Sequence, residues 1–270
     1  MNRIEVALER LKTQGKKMLS PYITAGDPNP TSTVSIMHEL VKAGADILEI
    51  GIPFSDPMAE GPVIQAAMER ALAHNVTTDD VFAMIREFRQ DDVTTPIIIM
   101  GYLNPIEQYG YERFAYAAKT AGVDGTILVD LPPEESEYVS KVWASADLYS
   151  IYLCSPTTTD VRLEHIKSLG RGYLYYVSLK GVTGSSSFDL DAVSTHYRHI
   201  KNKTKLPVMV GFGIKTPQMA ASVSSFADGV IVGAALINEI LQAYNSNNFT
   251  APFGTELIKN MRTAMDNPGN

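Results

Sequence analysis

KAGADILEI, residues 42–50, has the composition of a helix end that leads into a buried strand, because small residues and a glycine precede an aspartate and an apolar run. TAGVDGTIL (120–128) and FADGVIVGA (226–234) contain the same kinds of residue at a comparable junction. A junction that recurs in this way indicates that the chain uses one strand-helix unit several times.

Eight apolar runs rich in Val, Ile and Tyr are spread along the chain, and helical periodicity follows them. They cover residues 18–26, 46–54, 96–103, 125–132, 148–156, 172–179, 207–214 and 228–236. Near-continuous apolar strands indicate burial on both faces, and alternation with helices indicates parallel pairing. Because no linker divides the chain, the sequence predicts an α/β fold in which residues 1–270 form a single-domain (β/α)8 TIM barrel. A doubly wound open sheet is the less favoured arrangement.

Additions to the barrel are predicted at both termini and after the second strand. Ile4, Leu8 and Leu11 have helical spacing and predict an extra amphipathic N-terminal helix, and residues 256–265 predict a helical tail. The interval between Phe54 and Pro96 has room for an enlarged loop and two helical stretches. Since barrel enzymes place their chemistry in the loops that follow the strands, this insertion is a candidate lid or partner surface.

The composition is ordinary for a soluble globular chain of the size of an enzyme. Of the 270 residues, 45% are apolar and 20% are charged, and the formal charge is -7, which argues against nucleic acid and anionic membranes as partners. No apolar run approaches the roughly 18 residues of a membrane span, so the sequence predicts a cytoplasmic protein. The single cysteine, Cys154, excludes an intramolecular disulfide and a multi-cysteine metal site.

Glu49 interrupts the second apolar run, and a buried carboxylate is costly unless it is paired or functional. Because side chains alternate along a strand, Glu49 and Gly51 share a face, and the missing side chain of Gly51 predicts an open column above the carboxylate. The alternative is a structural ion pair, but the other seven runs contain no Lys or Arg. Tyr102 and Tyr175 lie on or at the ends of strands that border the same cavity, where they contact the substrate or simply pack.

Glycines are closely spaced after the last three strands, in LKGVTGSSS (179–187), GFGIKTP (211–217) and VGAALINEI (232–240). Backbone N–H groups of such loops, together with a helix N-terminus, bind phosphate. Each loop taken alone is weak evidence, because glycines in turns usually serve the turn itself. The three in this order favour a phosphate site at the mouth of the barrel, with a lid at residues 179–187 that carries Thr183.

The assembled motifs resemble those of the tryptophan synthase alpha subunit family. The resemblance rests on YITAGDP (22–28), LEIGIPFSDPMAEGPVIQ (48–65), GYLNPI (101–106), VDLPPEES (129–136), KGVTG (180–184) and GFGI (211–214). It implies a lyase of tryptophan biosynthesis that cleaves indole-3-glycerol phosphate to indole and glyceraldehyde 3-phosphate. This retro-aldol reaction needs no metal and no organic cofactor.

The resemblance also assigns residues. The expected site comprises Glu49, Glu60 and Tyr175 for catalysis, Tyr22, Tyr102 and Thr183 for the substrate, and Gly184, Gly213, Gly233 and Ala234 for the phosphate; Tyr102 is included because it borders the predicted cavity. Three positions depart from the family pattern, with Glu60 for the usual Asp, Tyr22 for Phe, and Ala234 for Ser. The longer Glu60 side chain must retract or its loop must shift, and the missing Ser hydroxyl removes one phosphate hydrogen bond of about 1 to 2 kcal/mol.

A partner is implied as well. The family works with a pyridoxal-phosphate-dependent beta subunit in an alpha2beta2 complex, and Pro53, Asp56 and Pro132 match positions on the contacting face. Two alternatives stay open. One is a weakly active or inactive barrel that mainly activates the beta subunit. The other is a different phosphate-binding barrel enzyme, which would require metal ligands or a strand lysine, although no His occurs in the eight runs.

Overall fold

A parallel β-barrel forms the centre of the molecule. The structure is a computed structural model that describes residues 1–178, 189–211, 213–246 and 249–267. Its strands are β1 Met18–Thr24, β2 Leu48–Gly51, β3 Ile97–Gly101, β4 Gly125–Leu128, β5 Tyr149–Ser150, β6 Tyr152–Cys154, β7 Leu174–Val177, β8 Val208–Gly211 and β9 Gly229–Val232. They are arranged in the order β5-β4-β3-β2-β1-β9-β8-β7-β6, and neighbouring strands run parallel.

The predicted fifth strand is divided in the structure. Ile151 separates β5, which pairs with β4, from β6, which pairs with β7. The amide of Ile151 still donates to the carbonyl of Thr126 at 2.9 Å, so the chain passes from one side of the barrel to the other without a gap in sequence. The nine strands therefore correspond to the eight predicted ones, and the (β/α)8 prediction is confirmed.

Helices surround this barrel. They are α1 Arg3–Thr13, α2 Thr33–Lys42, α3 Pro62–Ala73, α4 Thr78–Phe88, α5 Leu103–Tyr109, α6 Tyr111–Ala121, α7 Glu137–Ser145, α8 Asp160–Leu169, α9 Leu190–Lys203, α10 Pro217–Ser224, α11 Ala234–Asn245 and α12 Glu256–Asp266. The extra N-terminal helix (α1), the helical tail (α12) and the two helices between β2 and β3 (α3 and α4) are thereby confirmed. In the part of the chain that the structure describes, no helix is both long and apolar enough to cross a membrane.

The apolar core has two main parts. A large cluster between the strands and the helices contains side chains such as Ile50, Phe114 and Trp143, all almost fully buried. A second cluster joins inward-facing strand residues such as Met209 with Ile4 of α1. Because α1 contributes to the inner cluster, we infer that it closes the end of the barrel at which the strands begin, and the opposite end carries the loops that follow the strands.

The aspartates of the recurring junction tie adjacent strands together. Each one donates its own N–H to a carbonyl on the strand that precedes it in the chain, at 2.9 to 3.2 Å, and its Oδ2 accepts the N–H of the same residue at 2.8 to 3.0 Å. The pairs are Asp46 with Leu19, Asp124 with Ile97, and Asp228 with Val208. This reciprocal ring explains why the junction recurs in the sequence.

Cations complete each ring. They are Arg10 and Arg262 for Asp46, Arg3 and Arg89 for Asp124, and Lys201 for Asp228, at 2.7 to 3.3 Å. Burial still raises the pKa of Asp46, because loss of solvent outweighs the Leu19 amide and the two guanidinium groups. The contact from Arg262 fastens α12 to the bottom of the barrel, where Gly44 leaves room for the arginine stem: a Cβ on Gly44 would lie 2.6 Å from Cγ of Arg262.

Candidate active site

Glu49 is fully buried inside the barrel on β2. Its Oε1 accepts hydrogen bonds from the Ser20 hydroxyl at 3.1 Å and the Tyr173 hydroxyl at 2.9 Å. Its Oε2 is buried too and has no hydrogen-bond partner among the described residues. Burial raises the pKa of Glu49 to about 8, although the two hydroxyl donors lower it. At neutral pH the group is therefore mainly a neutral acid that holds a transferable proton.

Tyr173 and Ser20 are site residues that the sequence reasoning missed. The expected tyrosine neighbour of Glu49 was Tyr175, which lies two residues further along the same chain segment and so faces the same side. That two-residue spacing was the available signal for Tyr173, and Ser20 has the same relation to Tyr22 on β1. The hydroxyl that holds the Glu49 carboxylate belongs to the deeper tyrosine of the pair.

Tyr175 lies in the same interior, 8% exposed. The pKa of its hydroxyl is well above the ordinary value, first because of burial and then because of the nearby charges of Glu49 and Glu60. The ring lies against β8, since a Cβ on Gly211 would come within 2.4 Å of the Tyr175 oxygen. Tyr175 therefore keeps its proton and remains a hydrogen-bond donor near both acids.

The prediction of an open column above Glu49 is wrong, because the phenol of Tyr22 fills it. Tyr22 pairs with Glu49 in the register of β1 and β2, and its hydroxyl lies 2.1 Å from where a Cβ of Gly51 would be. The hydroxyl also forms a 3.2 Å hydrogen bond with Thr24 Oγ1. Gly51 thus makes room for the neighbouring Tyr22, whose ring covers the Glu49 carboxylate on the side of Gly51.

Glu60 lies in the loop between β2 and α3 and faces the same interior. Its N–H donates to the Pro57 carbonyl at 3.0 Å, and its own carbonyl accepts the Gln65 side chain at 2.8 Å, so its backbone is held on both sides. Burial raises the pKa of its carboxyl to about 7. Its charge raises the pKa values of Tyr22 and Tyr175, which places the carboxyl near both rings.

Tyr102 is bound to the loop that carries Glu60. It follows β3 directly and is 1% exposed. Its hydroxyl accepts the N–H of Ala59 at 3.2 Å, and its ring stacks on Phe54 with 5.2 Å between centroids. Burial raises the pKa of Tyr102 to about 12, and the Glu60 charge adds to this effect. The side chain thus contacts both ends of the segment from Phe54 to Ala59.

The predicted phosphate loops are partly described. Gly233 caps α11, and Ala234 is the first residue of that helix, so the free N–H groups of the first turn are at this point. Gly213 has a φ of 80°, a backbone conformation that favours glycine. Thr183 and Gly184 lie outside the described residues.

Comparison with known proteins identifies the family. The family model of the tryptophan synthase alpha chain matches residues 8–266. This chain belongs to that family. It is 64% identical over 269 residues to the tryptophan synthase alpha chain of Legionella pneumophila, covering 100% of this chain and 99% of the relative. It is 53% identical over 266 residues to that of Marinobacter nauticus, covering 98% of each.

Solved structures agree with this assignment. The crystal structure of tryptophan synthase subunit alpha from Legionella pneumophila is similar with a TM-score of 0.94 and 62% identity, over 99% of each chain. The aminoacrylate-bound tryptophan synthase from M. tuberculosis is similar with a TM-score of 0.87 and 28% identity, over 98% of this chain and 100% of that one. The barrel is therefore retained by relatives of much lower identity.

The three positions predicted to contact a partner subunit differ in their exposure to solvent. Pro53 is buried, Pro132 is half-buried, and Asp56 is exposed, with its Oδ2 accepting the Ser55 hydroxyl at 2.5 Å. Met58, two residues after Asp56, leaves 78% of its surface exposed. The outer side of the loop after β2 thus presents both a charge and a large apolar side chain.

Within residues 1–178, 189–211, 213–246 and 249–267, no group of three or more His, Cys, Asp or Glu side chains is arranged to hold a metal ion. Cys154 is buried, and burial raises the pKa of its thiol to about 12, so the thiol stays protonated.

Proposed function

We propose that Glu49 transfers the protons in the cleavage of indole-3-glycerol phosphate to indole and glyceraldehyde 3-phosphate, the alpha reaction of tryptophan biosynthesis. Membership of the tryptophan synthase alpha chain family supports the reaction. The state of Glu49 carries the assignment. It is a buried carboxyl with a pKa of about 8, one of whose oxygens is held by Ser20 and Tyr173.

The chemistry needs a group that both gives and takes a proton. Protonation of the indole ring at C3 leaves positive charge on the ring nitrogen. When the hydroxyl on the attached glycerol carbon loses its proton, the bond from that carbon to C3 breaks, an aldehyde forms, and the electron pair returns to the ring. One proton is gained and one is lost, so Glu49 can donate the first as an acid and accept the second as a carboxylate.

Glu60 is proposed to stabilise the charge on the indole nitrogen. A carboxylate that accepts a hydrogen bond from the ring N–H interacts more strongly as the ring becomes cationic, and such an interaction accelerates the reaction. The pKa of about 7 means that the free protein holds Glu60 partly protonated near neutral pH. A donor from the substrate would favour the ionised form.

The phosphate is proposed to bind at the N-terminus of α11 through backbone groups of Gly233 and Ala234, together with Gly213 and Gly184. Helix N-termini attract anions because their first N–H groups are unpaired and the helix dipole is positive there. Tyr22 and Tyr175 form the neighbouring walls, with Thr183 as a contact from the lid. This arrangement requires no basic side chain.

The beta subunit is the proposed partner, in an alpha2beta2 complex whose contacting face includes Pro53, Asp56 and Pro132. The exposed Met58 on the same loop supports this face, because large exposed apolar side chains are typical of interfaces. The partner would supply the pyridoxal-phosphate chemistry that consumes indole.

The test is indole release from indole-3-glycerol phosphate by the purified chain, with and without a beta subunit. Glu49→Gln should lower the rate by a factor of at least about 100, because it preserves shape and removes the proton carrier. Glu256→Gln, at an exposed position on α12, serves as a control that should keep full activity.

Retention of most activity by a folded Glu49→Gln variant would refute the assignment. If the unaltered chain releases no indole under either condition but stimulates the beta subunit, the alternative of a barrel that only activates its partner is favoured.

A further inference from the structure

The segment from Phe54 to Glu60 has an outer side and an inner side with different properties. On the outer side, Asp56, Met58 and Ala59 are exposed. On the inner side, the segment ends in Glu60, whose half-buried carboxyl lies near the tyrosines of the site. The position of the Glu60 carboxyl therefore depends on how this short segment is held.

Tyr102 is the side chain that holds it. The ring stacks on Phe54 at the start of the segment, with an interplanar angle of 28°, and the hydroxyl accepts the N–H of Ala59 at its end. Because Tyr102 immediately follows β3 and is fully packed, it is fixed by the barrel rather than by the loop. A rigid group that touches both ends of a loop limits the conformations open to the residue that follows.

The backbone hydrogen bonds next to Glu60 also show that the segment is held to the barrel through Tyr102. The N–H of Glu60 is used by the Pro57 carbonyl, and the N–H of Met58 by the Asp56 carbonyl, so both bonds lie within the segment. The Ala59 N–H instead donates to the Tyr102 hydroxyl, and the Glu60 carbonyl accepts from the Gln65 side chain on α3. Tyr102 thus joins the tight turn to the barrel.

We propose that Tyr102 is a positioning residue for the reaction, which clamps the segment from Phe54 to Ala59 and thereby sets the place of the Glu60 carboxyl. It acts through Glu60 rather than by contact with the substrate. This inference rests on the proposed function, because it assigns Tyr102 a task in the same reaction.

Tyr102→Phe isolates the clamp. The substitution keeps the ring that stacks on Phe54 and removes only the oxygen that accepts from Ala59. Loss of one such hydrogen bond should lower kcat about 3- to 10-fold and leave KM within about twofold. The matched control is Tyr109→Phe on α5, which removes a hydroxyl that donates to Asp79 at 2.6 Å on the surface and should leave both constants unchanged.

A double-mutant cycle with Glu60→Ala decides how Tyr102 acts. If Tyr102 positions Glu60, the change to Phe should have less than a twofold effect once the Glu60 carboxyl is gone, because coupled residues are not additive. Full multiplication of the two effects, or an effect of Tyr102→Phe confined to KM, would overturn the proposal in favour of direct substrate contact.

Amide hydrogen exchange gives a readout that needs no activity. Peptides that cover residues 54–60 should exchange faster in Tyr102→Phe than in the unaltered protein, and no faster in Tyr109→Phe. Unchanged exchange in Tyr102→Phe would refute the clamp even if the enzyme is active. Faster exchange in a protein that releases no indole would leave the clamp intact and reject the proposed function instead.

Discussion

Buried carboxylates at the two ends of the barrel have different surroundings. Where the strands begin, Asp124 and Asp46 each accept a backbone N–H and two guanidinium groups, and Asp228 accepts a backbone N–H and the ammonium group of Lys201. Nearer the other end, Glu49 has two neutral hydroxyl donors, and the half-buried Glu60 has no cation beside it in the described contacts. The first set joins strands, and the second set holds protons near neutral pH.

The partners of a carboxylate in a buried strand or junction determine whether it serves as a fixed acceptor or exchanges a proton. At Asp46 two guanidinium groups and the Leu19 amide favour the charged form and oppose the effect of burial, which still raises its pKa, and these contacts make the carboxylate an acceptor that joins two strands. Hydroxyl donors compensate for burial only in part, so the pKa of Glu49 rises to about 8 and the group becomes able to exchange a proton. Substitutions at the two ends should therefore have opposite effects on stability.

The largest effect is expected at Asp124. Asp124→Asn removes the carboxylate between Arg3 and Arg89 and leaves a guanidinium that is only 9% exposed without its counter-charge. Breaking a buried pair in this way should lower the free energy of unfolding by roughly 3 to 5 kcal/mol, measured by urea denaturation. Asp147→Asn, in an exposed pair with Lys119, should cost less than about 1 kcal/mol. Equal losses in the two variants would break the comparison.

Glu60 should show an effect on catalysis instead. Glu60→Ala is expected to lower kcat by one to three orders of magnitude, about 1.4 to 4 kcal/mol, with little change in phosphate affinity, because the carboxylate meets charge that develops on the indole ring. Glu60→Asp should keep most activity, since it restores the acid usual in the family and requires only a loop adjustment. Steady-state kinetics measures both effects. If neither substitution changes kcat, Glu60 has no part in catalysis and is only a solvated acid of the loop.

A smaller effect, of opposite sign to that at Asp124, is expected for the stability of Glu49→Gln. In the folded protein Glu49 has a pKa of about 8, above the ordinary 4.5, so the stability it contributes is complete below pH 4.5 and is lost as the pH rises through 8. Gln does not titrate. The free energy of unfolding of the variant should therefore exceed that of the unaltered protein by about 1 to 3 kcal/mol at pH 9. This difference should disappear toward pH 5, as measured by urea denaturation across that pH range. A pH-independent difference would contradict the raised pKa.

Much of the fold could be predicted because eight near-continuous apolar runs alternate with segments of helical periodicity along the chain. Strands buried on both faces leave a clear signal, and Glu49 was conspicuous because it interrupts one of them. The division of the fifth strand at Ile151 could not be predicted, since the run is continuous in sequence and only the closure of the barrel separates its two pairings.

Contacts across strands were the harder part of the site. Tyr173 and Ser20 reach Glu49 from two other strand regions, and sequence spacing gives no register between them. The absence of a side chain at Gly51 was interpreted as open space, but a glycine can also admit a neighbour, here Tyr22. Likewise, the junction aspartates form a visible repeat, but the repeat does not indicate which cations pair with them, and Arg262 reaches Asp46 from 216 positions away.

The aspartate rings also bear on the order in which the barrel can be completed during synthesis. Each ring joins residues only 20 or 27 positions apart, so it closes a loop of a single strand-helix unit, for which the entropy cost of closure is low. The contact between Arg262 and Asp46 spans 216 positions and becomes available only when nearly the whole chain has left the ribosome. The seams between adjacent strands are thus local contacts of low contact order, and the last helix is fastened to them afterwards.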